Sequence, residues 1–203
     1  ITAKILAQQG VRRLVLIDVA HKMERVQSRL RELSAAYPDC RITVGSDLGA
    51  LREAHLVVTA TNSPEALVRS RHISAGTYIV DDAQPSDVHG ELYDRDDVVV
   101  VSGGAVHTPG IRTSFPMGLR GAEHSYCCMA EVLALAAQEH SSHYVIFEPT
   151  QQHVAEIVSF ANELNFSVAE FQNVRGFVTN EHIVRVGHIM HTRISAHQST
   201  GKT

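Results

Sequence analysis

The hydrophobic pattern opens with a helix and then alternates between strands and helices. Residues 1–9 place apolar side chains on one helical face, and Gly10 follows at the position of a left-handed helix cap. The apolar run 13–18 predicts a strand buried on both faces, the kind found in parallel sheets. Residues 23–36 then predict an amphipathic helix, which the turn at Pro38 ends.

This alternation continues toward the C-terminus. Further strands are predicted at residues 41–44, 56–61, 77–80, 98–102 and 166–171, and a short helix is predicted after Asp47. Residues 107–121 carry Gly, Pro and Arg without periodicity and predict a long ordered loop. Helices are predicted at residues 123–139, 150–165 and 181–191, and we expect the first two to pack on the sheet.

Strands that alternate with helices predict an α/β fold of the Rossmann-like, doubly wound parallel type. We expect one dinucleotide-binding domain over residues 1–203, with its C-terminal helices at 123–191. Because a helix already occupies residues 1–9, the first strand and glycine-rich loop of such a fold are expected to precede Ile1 and to be missing from this sequence. That loop holds the cofactor pyrophosphate, so these residues alone are expected to bind a dinucleotide weakly or not at all.

Composition and charge narrow the classes of partner and compartment. The net charge of -4 comes without a basic cluster, which argues against nucleic acid as a partner. No apolar stretch approaches the roughly 20 residues of a membrane-spanning helix, and the N-terminal residues lack the pattern of a secretory signal. Cys40, Cys127 and Cys128 are an odd set typical of free thiols in a reducing compartment, so we expect a cytoplasmic protein.

The thirteen histidines include two pairs with i,i+3 spacing. These pairs are His140 with His143 and His188 with His191. No Asp, Glu or Cys stands at a spacing that would complete either pair as a metal site, so we expect no metal cofactor. These histidines are interpreted as surface or interface residues.

Asp18 is the first candidate cofactor ligand. In a Rossmann-type unit an acidic residue at the end of the second strand binds the adenine ribose hydroxyls, about 20 residues past the glycine motif. Asp18 follows a predicted strand at this separation and favours NAD, although an Asp after a strand also serves as a turn or cap residue. His21, Lys22 and Arg25 follow closely, and these cations leave NADP open.

Two other strand ends carry small residues suited to a cofactor. Thr61, Asn62 and Ser63 offer hydroxyls and an amide to a ribose or phosphate, or else form a turn before Pro64. The glycines at 103–104 allow backbone amides to approach a nicotinamide, although a tight strand-to-loop turn would need them too.

Two candidate catalytic groups remain. Asp81 and Asp82 follow a strand as a carboxylate pair, either an acid and base or two solvated loop residues. Cys128 lies near the start of a predicted helix, where the helix dipole favours a thiolate. A cysteine between apolar neighbours can equally be buried and inert.

Residues 79–171 resemble the aldehyde-forming long-chain acyl-acyl-carrier-protein reductases. The resemblance lies in four segments that occur in the same order and at similar spacing: the strand leading to Asp81, the Gly-Gly strand end at 99–106, the Cys-Met-Ala-Glu helix start at 126–131, and the helix 151–165 leading to Phe166. Residues 13–33 are compatible with that family's second strand and helix.

The resemblance implies a covalent reductase. In that family a cysteine attacks the acyl thioester, and hydride from NADPH releases the aldehyde from the acyl-enzyme; the matching residue here is Cys128. It also implies NAD(P)H as cofactor and an acyl-carrier protein or acyl-CoA as substrate, while Asp18 favours NADH. The alternatives are a dehydrogenase resembling shikimate or glutamyl-tRNA reductases, without a covalent intermediate, and a non-catalytic nucleotide-sensing or oligomerisation module.

Overall fold

The structure is a computed structural model that describes two compact units. The described residues are 1–19, 22–115, 117–146 and 149–200, except for the side chains of Arg25 and residues 197–200. Unit 1 comprises Ile1–Ala50 and His143–Glu156, and unit 2 comprises Leu51–Ser142 and Ile157–Thr203. None of the helices in the described ranges is both long and apolar enough to cross a membrane.

Unit 1 contains a parallel pair of strands with two helices. Its elements are α1 (Thr2–Gln8), β1 (Arg13–Ile17), α2 (Met23–Ala36) and β2 (Arg41–Gly45), followed by a 3-10 helix at Leu48–Glu53. The two strands pair in parallel. Each element lies where the hydrophobic pattern predicts it, and Gly10 has the expected left-handed φ of 85°.

The core of unit 1 forms between its helices and β2. Ala7 of α1, Leu33 of α2 and Ile42 of β2 are buried together with Cys40. The side chains of β1 are only half-buried, because β2 is the strand that pairs with it in this two-stranded sheet. The prediction of a strand buried on both faces therefore does not hold within this unit.

Unit 2 is built on a three-stranded parallel sheet. Its strands β3 (Leu56–Thr59), β4 (Thr77–Asp81) and β5 (Val98–Ser102) lie side by side in that order. The parallel α/β class is therefore confirmed, but the strands form several small sheets. The two crossovers contain only 3-10 helices, at Ser70–His72 and Gly90–Leu92. Each crossover contains one Pro and one Gly, which are poor helix formers.

The sheet of unit 2 is covered on both faces. On one face Ile79 and Val100 are buried with Leu92 and other side chains of the crossovers. On the other face Val99 and Val101 pack against Val186 of the C-terminal helix α5 (Asn180–Thr200), and Val186 is fully buried.

The remaining elements of unit 2 are short strands and two helices. They are β6 (Ala105–His107), β7 (His124–Tyr126), α3 (Cys127–Ala137), α4 (Gln151–Glu163), β8 (Ser167–Val168), β9 (Gln172–Asn173) and β10 (Gly176–Phe177), with α4 reaching into unit 2 from unit 1. The helix predicted from residue 123 begins at Cys127 instead, because residues 124–126 pair with β6. The helix α4 buries none of its described side chains, in contrast with the predicted packing on the sheet.

Candidate functional site

The carboxyl ends of β3, β4 and β5 meet at one edge of the sheet in unit 2. The amide of Asp82 donates to the carbonyl of Thr59 at 2.8 Å, and the amide of Gly103 donates to the carbonyl of Asp81 at 2.7 Å. Residues 59–63, 81–82 and 102–104 therefore form one continuous group, the strand-end site. The sheet topology brings together three segments that the sequence singled out separately.

Asp81 connects the strand-end site to neighbouring segments through its buried carboxylate. The residue is 7% exposed, and its carboxylate accepts hydrogen bonds from Thr59 Oγ1 at 2.7 Å and from Ser86 Oγ at 2.5 Å. A buried carboxylate with such partners fixes neighbouring strand ends. The interpretation of Asp81 as a solvated loop residue is wrong, since Thr59 and Ser86 cover it.

Thr61 is tied to a second buried carboxylate, that of Asp87. Thr61 donates through Oγ1 to Asp87 Oδ1 at 2.5 Å and through its amide to Oδ2 at 3.0 Å. Ser63 donates its amide to Thr61 Oγ1, as expected for the predicted turn, whereas Asn62 is exposed. Asp87 is 1% exposed. The sequence carries no signal for its role, because its partner lies 26 residues away.

Gly103 and Gly104 lie so close to Asp82 and Cys127 that a larger residue at either position would overlap with their atoms. A Cβ on Gly103 would lie 2.9 Å from Cβ of Asp82. Gly104 has a left-handed φ of 69°, and a Cβ there would lie 3.0 Å both from Asp82 Oδ1 and from Cys127 Sγ. Partial desolvation and the nearby charge of Asp81 raise the pKa of the Asp82 carboxyl.

The two adjacent cysteines begin α3 and differ in their surroundings. Cys127 donates its amide to the Gly104 carbonyl at 2.7 Å, and its thiol faces the glycine turn. Burial, followed by the charge of Asp82, raises the pKa of the Cys127 thiol. Both cysteines are exposed residues, although the Cys127 thiol is partly desolvated, and neighbouring helical side chains point about 100° apart. The structure thus brings Cys127, rather than the predicted Cys128, against the strand ends.

An apolar cavity of about 340 Å³ adjoins the glycine turn in unit 2. Val80 and Val101 of the sheet, Phe171 and the two glycines of the turn, Gly103 and Gly104, are among the residues that line it. An apolar cavity lined in part by glycine backbone suits a ligand with a hydrocarbon part and one reactive polar group.

Asp18 belongs to unit 1 and lies directly after β1. Its amide donates to the Gly45 carbonyl at 3.2 Å, and its Oδ1 accepts from the Val19 amide at 2.7 Å. Within the described part of the chain, Oδ2 has no hydrogen bond and remains free to accept one from a ribose. His21 and the side chain of Arg25 lie outside the described residues, and Lys22 is exposed.

The histidine pairs fall on different kinds of structure. His140 and His143 lie in the segment after α3, whereas His188 and His191 are exposed on α5. Across the described ranges, no three or more His, Cys, Asp or Glu side chains gather closely enough to hold a metal ion.

Residues 79–171, on whose sequence alone the resemblance to the aldehyde-forming reductases rests, include several of the residues described above. Asp82, the glycine turn and the first turn of α3 all belong to that segment, and the structure places them in mutual contact. Neither protein-family models nor curated proteins match this chain.

Proposed function

We propose that this chain is the Rossmann-like, cofactor-binding part of an NAD(P)H-dependent reductase that converts fatty acyl thioesters to aldehydes through an acyl-enzyme on Cys128. The observation that carries the proposal is the apolar cavity lined in part by Gly103 and Gly104, the latter bonded to the first turn of α3. A hydrocarbon cavity next to a cysteine pair matches an acyl chain whose thioester carbonyl must reach a thiol. The carrier of the acyl group is an acyl-carrier protein or CoA.

Each unit carries residues whose chemistry suits one part of a nicotinamide dinucleotide. Gly103 and Gly104 line the apolar cavity, so a ligand there can reach their backbone. Asp18 presents a carboxylate oxygen suited to ribose hydroxyls. A bound NAD(P)H supplies the hydride that reduces the acyl group.

Cys128 performs the acyl transfer in this proposal. Its Sγ forms a bond to the thioester carbonyl carbon while the bond from that carbon to the carrier sulfur breaks, and the carrier leaves as a thiol after taking up a proton. When hydride reaches the acyl carbon, the bond to Cys128 breaks and the aldehyde leaves. Cys128 suits this role because it is exposed in the first turn of α3, where the partial positive charge of the helix end favours an anion.

A second candidate function is a dehydrogenase that forms no covalent intermediate. It is favoured by the strand-end site itself, where the thiol that faces the glycine turn is that of Cys127 and the charge of Asp82 helps to raise its pKa. Because the pKa of Asp82 is itself raised, this carboxyl suits proton transfer to or from a carbonyl substrate. In that function hydride transfer survives the loss of Cys128.

The compartment proposed for this function is the cytoplasm. Cys40, Cys127 and Cys128 are all free thiols in the structure, and Cys127 and Cys128 are exposed to solvent. Exposed thiols persist in a reducing compartment.

We expect iodoacetamide at neutral pH to label Cys128 first. Burial raises the pKa of the Cys40 thiol, and burial together with Asp82 raises that of Cys127, so both carry less of the reactive thiolate. Peptide mass spectrometry after brief labelling measures the three rates. Faster labelling of Cys127 or Cys40 would contradict the choice of Cys128 as nucleophile.

The variant Asp82→Asn provides the control for the order in which the three cysteines are labelled. Removing the carboxylate charge lowers the pKa of the Cys127 thiol, since that charge is one of the causes that raise it. Labelling of Cys127 should therefore become severalfold faster at neutral pH, whereas that of the buried Cys40 in unit 1 should not change. An unchanged Cys127 rate would show that burial alone controls this thiol.

We expect the intact enzyme to use NADH at least as well as NADPH. The Asp18 carboxylate would repel a 2′-phosphate, and the exposed Lys22 offsets this only through solvent. Steady-state kcat/KM with each cofactor tests this, and Asp18→Asn should shift the ratio toward NADPH. Asp47→Asn is the matched control, because Asp47 follows β2 and accepts a turn bond from Gly49. A wild-type preference for NADPH of about tenfold, or 1.4 kcal/mol, would contradict the assignment of Asp18.

A further inference from the structure

A second cavity lies in unit 2 beneath the loop between β6 and β7. It measures about 400 Å³, and Arg112, Ser114, Arg120, Gly121 and His124 line it. None of these residues belongs to the strand-end site or to the apolar cavity. Two arginines and a histidine line this cavity and supply several hydrogen-bond donors. Such donors favour a ligand with several hydrogen-bond acceptors.

The hydrogen bonds of His124 fix which ring nitrogen carries the proton. Gln172 accepts the Arg120 amide through Oε1 at 2.6 Å, so its other amide atom, Nε2, faces His124 as a donor. His124 Nδ1 lies 3.1 Å from this Nε2 and also accepts the Gly121 amide at 3.2 Å. Since Nδ1 accepts both bonds, the neutral ring carries its proton on Nε2.

The Nε2–H group of His124 makes no hydrogen bond to the described residues. The residue is 8% exposed, and no atom in the described ranges accepts a hydrogen bond from Nε2. A Cβ on Gly121 would lie 2.4 Å from Nε2, so only a glycine can pack this closely against the imidazole ring. The Nε2–H group can therefore donate to solvent or to an acceptor oxygen of a ligand in the cavity.

The two arginines retain donors for the same ligand. Arg120 donates one Nη2–H to the Val174 carbonyl at 2.6 Å, which anchors its guanidinium beside the cavity. Arg112 lies 3.4 Å from the Glu123 carboxylate, and Glu123 also lies 3.6 Å from His107 Nε2. A guanidinium carries five N–H donors, so neither contact exhausts the donors of these arginines.

We propose that this cavity binds a phosphate group of a small molecule. Two guanidinium groups and one imidazole N–H surround the space from different residues, which suits a tetrahedral anion with several acceptor oxygens better than a planar carboxylate. The net charge of the protein is -4, so its overall field would not attract phosphate without a local site. The site does not depend on the proposed reductase activity.

The test is a titration of the protein with inorganic phosphate at constant ionic strength, followed by NMR of 15N-labelled histidine. The His124 signals should shift saturably, and Arg120→Gln should weaken the apparent affinity at least tenfold. Arg29→Gln is the matched control, because it removes a cation of α2 in unit 1 that pairs with Glu32 and does not line the cavity. It should leave the affinity unchanged.

Parallel titrations with acetate and chloride identify the ligand chemistry. The proposal requires phosphate to bind at least tenfold more tightly than either. Acetate binding as tight as that of phosphate would overturn the phosphate assignment in favour of a carboxylate. A response that is linear in phosphate, or equal in wild type and Arg120→Gln, would overturn the site itself. Arg112→Gln, whose backbone makes no contact with Gln172, repeats the measurement if Arg120→Gln fails to fold.

Discussion

Replacement of Cys128 by alanine is expected to abolish aldehyde formation from an acyl thioester, with kcat/KM falling by about a thousandfold or more. The loss follows because no other group in the proposal can hold the acyl chain covalently while hydride is delivered. The protein should still fold, since Cys128 is exposed and alanine is the best helix former for the first turn of α3. The measurement is aldehyde production by the intact enzyme with NADH and a long-chain acyl thioester.

Cys127→Ala is the comparison that isolates the nucleophile. It changes the adjacent residue of the same helical turn and should retain aldehyde formation within about tenfold. Its amide bond to the Gly104 carbonyl involves only backbone and persists in the variant. Incubation with the thioester in the absence of reduced cofactor should add the acyl mass to wild type and to Cys127→Ala but not to Cys128→Ala.

Other activity patterns in these cysteine variants would each support a different function. Loss of activity in Cys127→Ala alone would assign the covalent step to the thiol that faces the glycine turn. Hydride transfer that persists in both single variants and in the double variant would favour the dehydrogenase without a covalent intermediate. The turn around Gly104 is common to all three outcomes, so the variants test the role of the thiols and not that of the strand ends.

The sequence predicts those elements whose boundaries depend on local residues. The helix α2 begins and ends as predicted because its apolar face is periodic and Pro38 follows it. The strands β4 and β5 are apolar runs of strand length, so they too lie where predicted. The sequence predicts a helix at residues 124–126, because nothing in it reveals that they pair with β6. Pairing between distant segments overrides local propensity.

In the candidate site, too, some features could be predicted from local sequence and others depend on contacts between distant segments. That three strand ends meet could be predicted, because parallel strands bring their carboxyl ends to one edge. The burial of Asp81 could not, since its partners Thr59 and Ser86 come from separate segments. The orientation of Cys127 depends on the left-handed φ of Gly104 and on a backbone hydrogen bond between the two residues. A Gly-Gly pair after one strand and an acidic pair after its neighbour are the signal that could have indicated this contact.

Replacement of Gly76 by alanine is expected to be the most destabilising single-methyl change at a described glycine. Gly76 precedes β4 with a left-handed φ of 77°, and a Cβ there would lie 2.6 Å from N and 2.8 Å from Cα of Met190 in α5. These are backbone atoms, so no side-chain rotation relieves the overlap. Left-handed strain costs about 1–2 kcal/mol and overpacking about 1–3 kcal/mol, which gives a loss of about 2–5 kcal/mol.

Replacement of Gly76 should also affect the apolar cavity, because α5 forms part of its wall. Arg193 of α5 donates to the Ala75 carbonyl at 2.8 Å, and Ile183 of the same helix lines the cavity. Displacement of α5 should therefore open the cavity as well as lower stability, with increased binding of an apolar dye before global unfolding.

Urea unfolding followed by circular dichroism measures the stability, since the protein has no tryptophan. Gly90→Ala is the matched control, because a Cβ there meets no atom within 4 Å, and it should cost less than about 0.5 kcal/mol. Equal unfolding midpoints for the two variants would show that α5 does not rest on the backbone at Gly76 and that the cavity wall it provides is placed wrongly.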